Sequence, residues 1–143
     1  MLNKTPRRVV TGLDSQGRSA ILSDARDGSL LWRSKGFPVD NRDDGALAGA
    51  AYGPGPDTTH FVFSEIPPGD GLHGPGMHAT DTIDYVVVMQ GSVVIVTETG
   101  ETELHAGDTL IDRGVVHGWR NDGDTAALMA VVMVGAHPLE PAQ

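Results

Sequence analysis

Between Gly76 and Asn121 the chain carries two strand-like blocks, G-M-H-A-T-D-T-I-D-Y-V-V-V-M-Q-G and G-D-T-L-I-D-R-G-V-V-H-G-W-R-N, each closing in a glycine or asparagine turn. A strand sends every second side chain to the same face. His78, Thr80, Thr82, Asp84, Val86 and Val88 therefore share one face of the first block, and Val115, His117, Trp119 and Asn121 share one of the second. Two imidazoles and a carboxylate, set in otherwise apolar runs, are the one chemically loaded constellation in the sequence. The rest reads as the scaffold that holds it.

The remaining composition narrows the fold. A chain of 143 residues is one domain's worth, and its 19 glycines and nine prolines, with scarcely any helical periodicity, point to many turns and an all-β architecture. With no cysteine, any metal must be held by histidine, carboxylate, hydroxyl or water. Ten basic against 19 acidic residues leave a net charge of −9, which argues against nucleic acid or an anionic membrane as partner. No apolar run reaches the roughly 18 residues of a membrane span, and the polar start is no signal peptide. The expected location is the cytoplasm.

Taken in order, Arg7 to Gly12 and Arg18 to Ser23 flank Asp14-Ser15-Gln16-Gly17 as a hairpin, and Leu30 to Arg33 makes a third strand with Trp32 as a packing residue. From Lys35 to Asp57 periodicity fails; this stretch reads as a lid over a barrel mouth, an arm on a second subunit, or a surface loop. Thr58 to Ile66 alternates again, with His60 on a strand between aromatic residues. His73 lies in a glycine-rich loop five residues before His78 and reads as a solvated histidine, with a swing toward a metal as the alternative, whereas His105 lies in an exposed acidic hairpin and receives no role. Residues 1–57 are expected to form an N-terminal β arm and loop packed on a barrel of residues 58–143. The count of eight to ten short strands suits a double-sheet jelly roll or small barrel.

The two blocks resemble the paired motifs of the cupin superfamily. His78 falls on the first histidine of motif 1, Thr80 on the second, Asp84 on the glutamate and Gly91 on the closing glycine. In motif 2, Gly107, Gly114, His117 and Asn121 fit in order, with Asp112 where proline is usual. The run His78 to Tyr85 also resembles small single-domain cupins carrying H-x-T-D-x-x-D-Y. The resemblance spans roughly residues 58 to 135. It implies the double-stranded β-helix fold and a small organic substrate, as in members that accompany biosynthetic pathways. A metal-binding cupin has three histidines and a glutamate, whereas this chain keeps two histidines and an aspartate.

Three readings of the constellation follow. His78, Asp84 and His117 make a two-histidine, one-carboxylate set suited to Fe, Zn, Mn or Ni, with Thr80, Thr82 and Asn121 as supporting acceptors. That reading gives a metal-dependent lyase, dehydratase, decarboxylase, isomerase or dioxygenase acting on a small oxygenated molecule. Without metal, Asp84 and His117 serve as acid and base of a lyase or dehydratase. In the third reading the same residues only orient a bound small molecule. Tyr85, Trp119 and His60 join Thr80 and Thr82 as candidate cavity residues. No arginine is expected to pair with Asp84, because Arg120 has the opposite parity to His117. A homodimer is the expected assembly, by exchange of the N-terminal arm.

Overall fold

A computed structural model describes residues 5–43 and 54–139, and the small apolar stretch Ala46 to Tyr52 lies outside them. Among the described residues ten strands run in chain order: β1 Arg8–Leu13, β2 Ser19–Ala25, β3 Leu30–Lys35, β4 Thr58–Ile66, β5 Thr82–Gln90, β6 Ser92–Thr97, β7 Glu101–His105, β8 Thr109–Asp112, β9 His117–Arg120 and β10 Ala127–Gly135. They form a β1–β2 hairpin sheet, a five-stranded sheet ordered β3-β4-β10-β5-β8 and a three-stranded sheet ordered β7-β6-β9. Every pairing is antiparallel. The all-β jelly-roll expectation is met. The expected division at 57/58 runs between β3 and β4, which are hydrogen-bonded neighbours in one sheet.

The first hairpin closes where sequence placed it. The Asp14 carboxylate accepts from the backbone N–H groups of Gln16 and Arg18, at 2.8 and 3.0 Å. Asp14 thus supplies the turn's acceptors itself.

The core lies between the two larger sheets. Val86, Val88, Met129 and Val131 from the five-stranded sheet meet Val93, Ile95 and Leu104 from the three-stranded one. Directly opposed residues of antiparallel strands point to the same face, so the register orders the inner face into rows. One apolar row joins Val62, Val131, Val86 and Leu110. The next row toward one end joins Arg33, His60, Met133, Asp84 and Asp112 across all five strands. The candidate chemistry is therefore one polar layer lying directly on the apolar core.

The outer face of the same sheet carries Trp32, Phe61, Val132, Tyr85 and Ile111 in one row. Phe61, Tyr85 and Ile111 are 38, 46 and 53% exposed. Trp32 is a packing residue beside Phe61, turned away from the inner face. No helix of the described residues is long and apolar enough to cross a membrane.

Met129 is 1% exposed at the centre of the core cluster. Its truncation leaves a cavity between two sheets that cannot both relax. Met129→Ala is expected to lower the unfolding free energy by about 2–5 kcal/mol with the denaturant slope unchanged, measured by urea titration.

Candidate functional site

The site is assembled by three local devices. The first is a backbone bridge between the two sequence blocks: the His78 N–H donates to the His117 carbonyl and the His117 N–H to the His78 carbonyl, both at 2.9 Å. This opposition places the two imidazoles on one face, with ring centroids 4.8 Å apart. Each ring is fixed through Nδ1. That of His78 faces the Gly76 carbonyl oxygen at 2.8 Å, and that of His117 faces the Val115 carbonyl oxygen at 3.0 Å. A ring nitrogen facing a carbonyl oxygen must carry the hydrogen. Both Nε2 atoms therefore present lone pairs, the tautomer a base or a metal ligand needs.

The second device is a turn at Gly114 that links β8 to β9. The Asp112 Oδ2 lies 2.9 Å from the His117 Nδ1, and both side chains are about 5% exposed. Asp112 Oδ1 also accepts from the Val115 N–H at 3.4 Å. Gly114 has φ +75°, and a Cβ there would lie 3.2 Å from the Thr82 carbonyl oxygen. Only a residue without a side chain makes this turn unstrained while packing so closely against β5.

The third device is a hydroxyl ladder on the inner face of β5 and its approach. Thr82 Oγ1 donates to Asp84 Oδ1 at 2.7 Å, and Thr80 Oγ1 lies 2.8 Å from Thr82 Oγ1. Because the single Thr82 proton goes to the carboxylate, Thr80 donates to Thr82.

Electrostatics follow from this packing. Asp84 and Asp112 are directly opposed on β5 and β8, both buried. Burial raises the Asp84 carboxyl above its ordinary value and the Asp112 charge adds to it, against smaller opposing effects of the Thr82 hydroxyl and the two imidazoles. For His117, burial is the largest single influence and favours the neutral ring. The Asp112 hydrogen bond and charge, with the Val115 carbonyl and Asp84, outweigh it, so the ring is protonated more readily than usual.

The sequence-derived candidates are placed as follows. His78, Thr80, Thr82, Asp84 and His117 converge on this end of the inner face. Trp119 meets His117 edge-on at a centroid distance of 6.1 Å and packs against the core. His60 is buried on the same inner face, two strands from Asp84. Tyr85 is a correction: it follows Asp84 on an unbroken strand, so alternation turns it to the exterior. Asn121 is another: its Nδ2 donates to the Ile66 and Thr125 carbonyls and its Oδ1 accepts from the Gly123 N–H, which closes a turn and leaves the imidazoles to backbone carbonyls. Arg120 pairs outward with Glu101 and Asp122, as its parity requires. His73 and His105 are exposed.

Asp112 is the site residue that sequence reasoning passed over. Leu110 and Asp112 share a face of β8, and a carboxylate five residues before His117 across a glycine turn was the available signal.

The two free Nε2 atoms suit a divalent ion. However, Asp112 is turned to the far nitrogen of His117 and Asp84 is tied to Thr82. Among the described residues no group of three or more His, Asp or Glu is placed to hold a metal ion. The His78, Asp84 and His117 set does not fit as a three-ligand site.

A protein-family model described as the cupin domain matches residues 62–134. Phomopsin biosynthesis cluster proteins C′ and D of Diaporthe leptostromiformis are each 32% identical over 165 residues, covering 96% of this chain and 82% of theirs. The chain is a cupin. Among solved structures, this cupin is similar to a cupin 2 conserved barrel domain protein from Salinispora arenicola, with a TM-score of 0.46 and 21% identity over 53% of this chain and 62% of that one.

In this cupin the Asp112–His117 contact favours the protonated His117 ring, and removing its charge leaves burial opposed only by the Val115 carbonyl and Asp84. Asp112→Asn is expected to lower the His117 pKa, so that the ring loses its proton at a lower pH than in the parent. A histidine Cε1–H NMR titration of parent and variant reads the displacement directly.

Proposed function

We propose that this cupin is an acid–base lyase or dehydratase acting on a small oxygenated organic molecule, with His117 as base and Asp84 as acid. The observation that carries the reading is the pairing of a buried carboxylate, Asp112, with the Nδ1 of His117, 2.9 Å away. That contact leaves Nε2 free to take a proton and stabilises the imidazolium that results. Asp84, with its carboxyl raised by burial, is suited to hold a proton that it then delivers. The support is two titratable groups on one inner face whose surroundings give them opposite tasks.

On a β-hydroxy carbonyl compound the steps balance without a co-reactant. The His117 Nε2 takes the proton from the carbon next to the carbonyl. The released electron pair forms the carbon–carbon double bond as the C–O bond to the hydroxyl breaks. Asp84 gives its proton to the departing hydroxide, which leaves as water. The imidazolium proton then returns through water to Asp84, and both groups are restored. His78 stands beside His117 with its own free Nε2 and orients the carbonyl through a water or the substrate hydroxyl. The relatives from a phomopsin biosynthesis cluster support a small-molecule biosynthetic setting.

The expected measurement is exchange of the hydrogen next to the carbonyl in 2H2O, followed by NMR on a panel of β-hydroxy acids and ketones. His117→Gln and Asp84→Asn should each reduce exchange or water loss by about 10²-fold or more. Asp84→Asn should keep or raise its thermal midpoint at neutral pH. A raised carboxyl pKa means that ionising the native state costs stability as pH rises above the unfolded value, and the amide removes that cost. Turnover that disappears on chelation and returns with Fe, Zn, Mn or Ni would favour the metal-dependent reading instead. Binding without exchange or water loss would favour the non-catalytic one.

The assembly we propose is a homodimer through the outer face of the five-stranded sheet. The row Trp32, Phe61, Val132, Tyr85 and Ile111 carries no charge, in a chain of net charge −9. A second copy related by a twofold axis meets this patch with the same patch and keeps the acidic surfaces apart. Light scattering at micromolar concentration should give twice the 15.0 kDa chain mass, and Tyr85→Glu should return it to one chain. A parent protein of single-chain mass would refute the interface.

A further inference from the structure

The inner-face row that contains Asp84 also contains a histidine that the acid–base scheme does not use. His60 is directly opposed to Met133 on one side and Arg33 on the other, and Met133 is opposed to Asp84. All four side chains therefore share the inner face. Two strand spacings separate the His60 and Asp84 backbones, roughly 10 Å. His60 is 7% exposed, its ring makes no hydrogen bond among the described residues, and its ring nitrogens are not fully buried. Ring nitrogens that no described residue engages are available to something bound, as donor or acceptor. The other two inner-face histidines, His78 and His117, both have their Nδ1 held by carbonyls.

We infer that His60 and Arg33 form a recognition station for a carboxylate at the end of the substrate remote from the carbon that His117 and Asp84 act on. The inference rests on the acid–base reading for the location of the reacting end. Its own support is the row geometry and an inner-face ring that the described residues leave unengaged. Burial first, and the Arg33 charge second, hold the His60 ring below its usual pKa, so the neutral ring offers one N–H beside a permanent cation. A neutral imidazole donor and a planar guanidinium together match a carboxylate, which accepts from both. Arg33 need not be free of other contacts for this, since a guanidinium carries five donors. The implied substrate is elongated, with an acid at one end and an oxygenated, enolisable carbon several bonds away.

The probe is 6-oxoheptanoate, which has a carboxylate and an enolisable ketone separated by four methylenes, and its methyl ester is the uncharged match. Both are titrated into the full chain while the histidine Cε1–H resonances are followed. The acid is expected to bind at least tenfold more tightly than the ester and to move the His60 resonance. Arg33→Gln should abolish the acid–ester difference, Arg33→Lys should keep most of it, and His60→Gln should reduce it. Asp84→Asn should leave it unchanged. Equal binding of acid and ester, no detectable binding of the acid at millimolar concentration, or an undiminished preference in folded Arg33→Gln would each overturn the inference. If Arg33→Gln does not fold, His60→Gln decides by the same criterion. Failure of the acid–base reading looks different: the acid–ester preference remains while the probe ketone shows no deuterium exchange.

Discussion

Two carboxylates, Asp84 and Asp112, face each other across a pair of buried strands, and the rest of the polar layer answers to that opposition. Like charges directly opposed on a sheet are destabilising, and burial strengthens their repulsion. The described contacts relieve it in two ways. Asp112 is set against the His117 Nδ1, so that one negative charge has a cationic or strongly polarised partner. Asp84 receives the Thr82 hydroxyl and, with its raised pKa, holds its proton more readily than an exposed aspartate. A layer that shifts one carboxyl and one imidazole toward their protonated forms suits the proton movements proposed above. The stability requirement and the proposed chemistry are the same arrangement seen twice.

Much of this was legible in the sequence because strands obey a period of two. His78, Thr80, Thr82 and Asp84 appeared on one face by counting alone, and they lie there. The same rule, consistently applied, would have excluded Tyr85, whose place next to Asp84 on the strand turns it outward. What counting could not supply was register. That Asp84 lies opposite Asp112, and that His60 and Arg33 share their row, depends on which strands become neighbours and at what offset. In a jelly roll those neighbours are far apart in sequence: β5 pairs with β8 and β10, and β4 pairs with β3 and β10. Asn121 shows the opposite limit. It occupies the expected position, but its side chain is consumed by the backbone of Ile66, Gly123 and Thr125, a local demand for hydrogen bonds that parity cannot reveal.

Of the two pieces that carry the proposed chemistry, one is local and one is not. Asp112 and His117 lie five residues apart on either side of a single glycine turn, whereas Asp84 reaches them only through the long-range pairing of β5 with β8. The aim of the base is thus set by short-range geometry, and its distance from the acid by the global fold.

The turn at Gly114 has a mechanical consequence as well. β8 belongs to the five-stranded sheet and β9 to the three-stranded one, so the Asp112–His117 contact crosses the seam between the halves of the sandwich, while the His78–His117 bridge fastens the approach to β5 onto β9. The seam at this end is clasped by the groups that the proposed chemistry employs. Any breathing of the sandwich that parts the sheets there would misalign the imidazole before the hydrophobic layer beneath is wetted. On the proposed reading, activity would then be lost in a state still largely folded, and this end of the sandwich would act as the first gauge of its mechanical integrity.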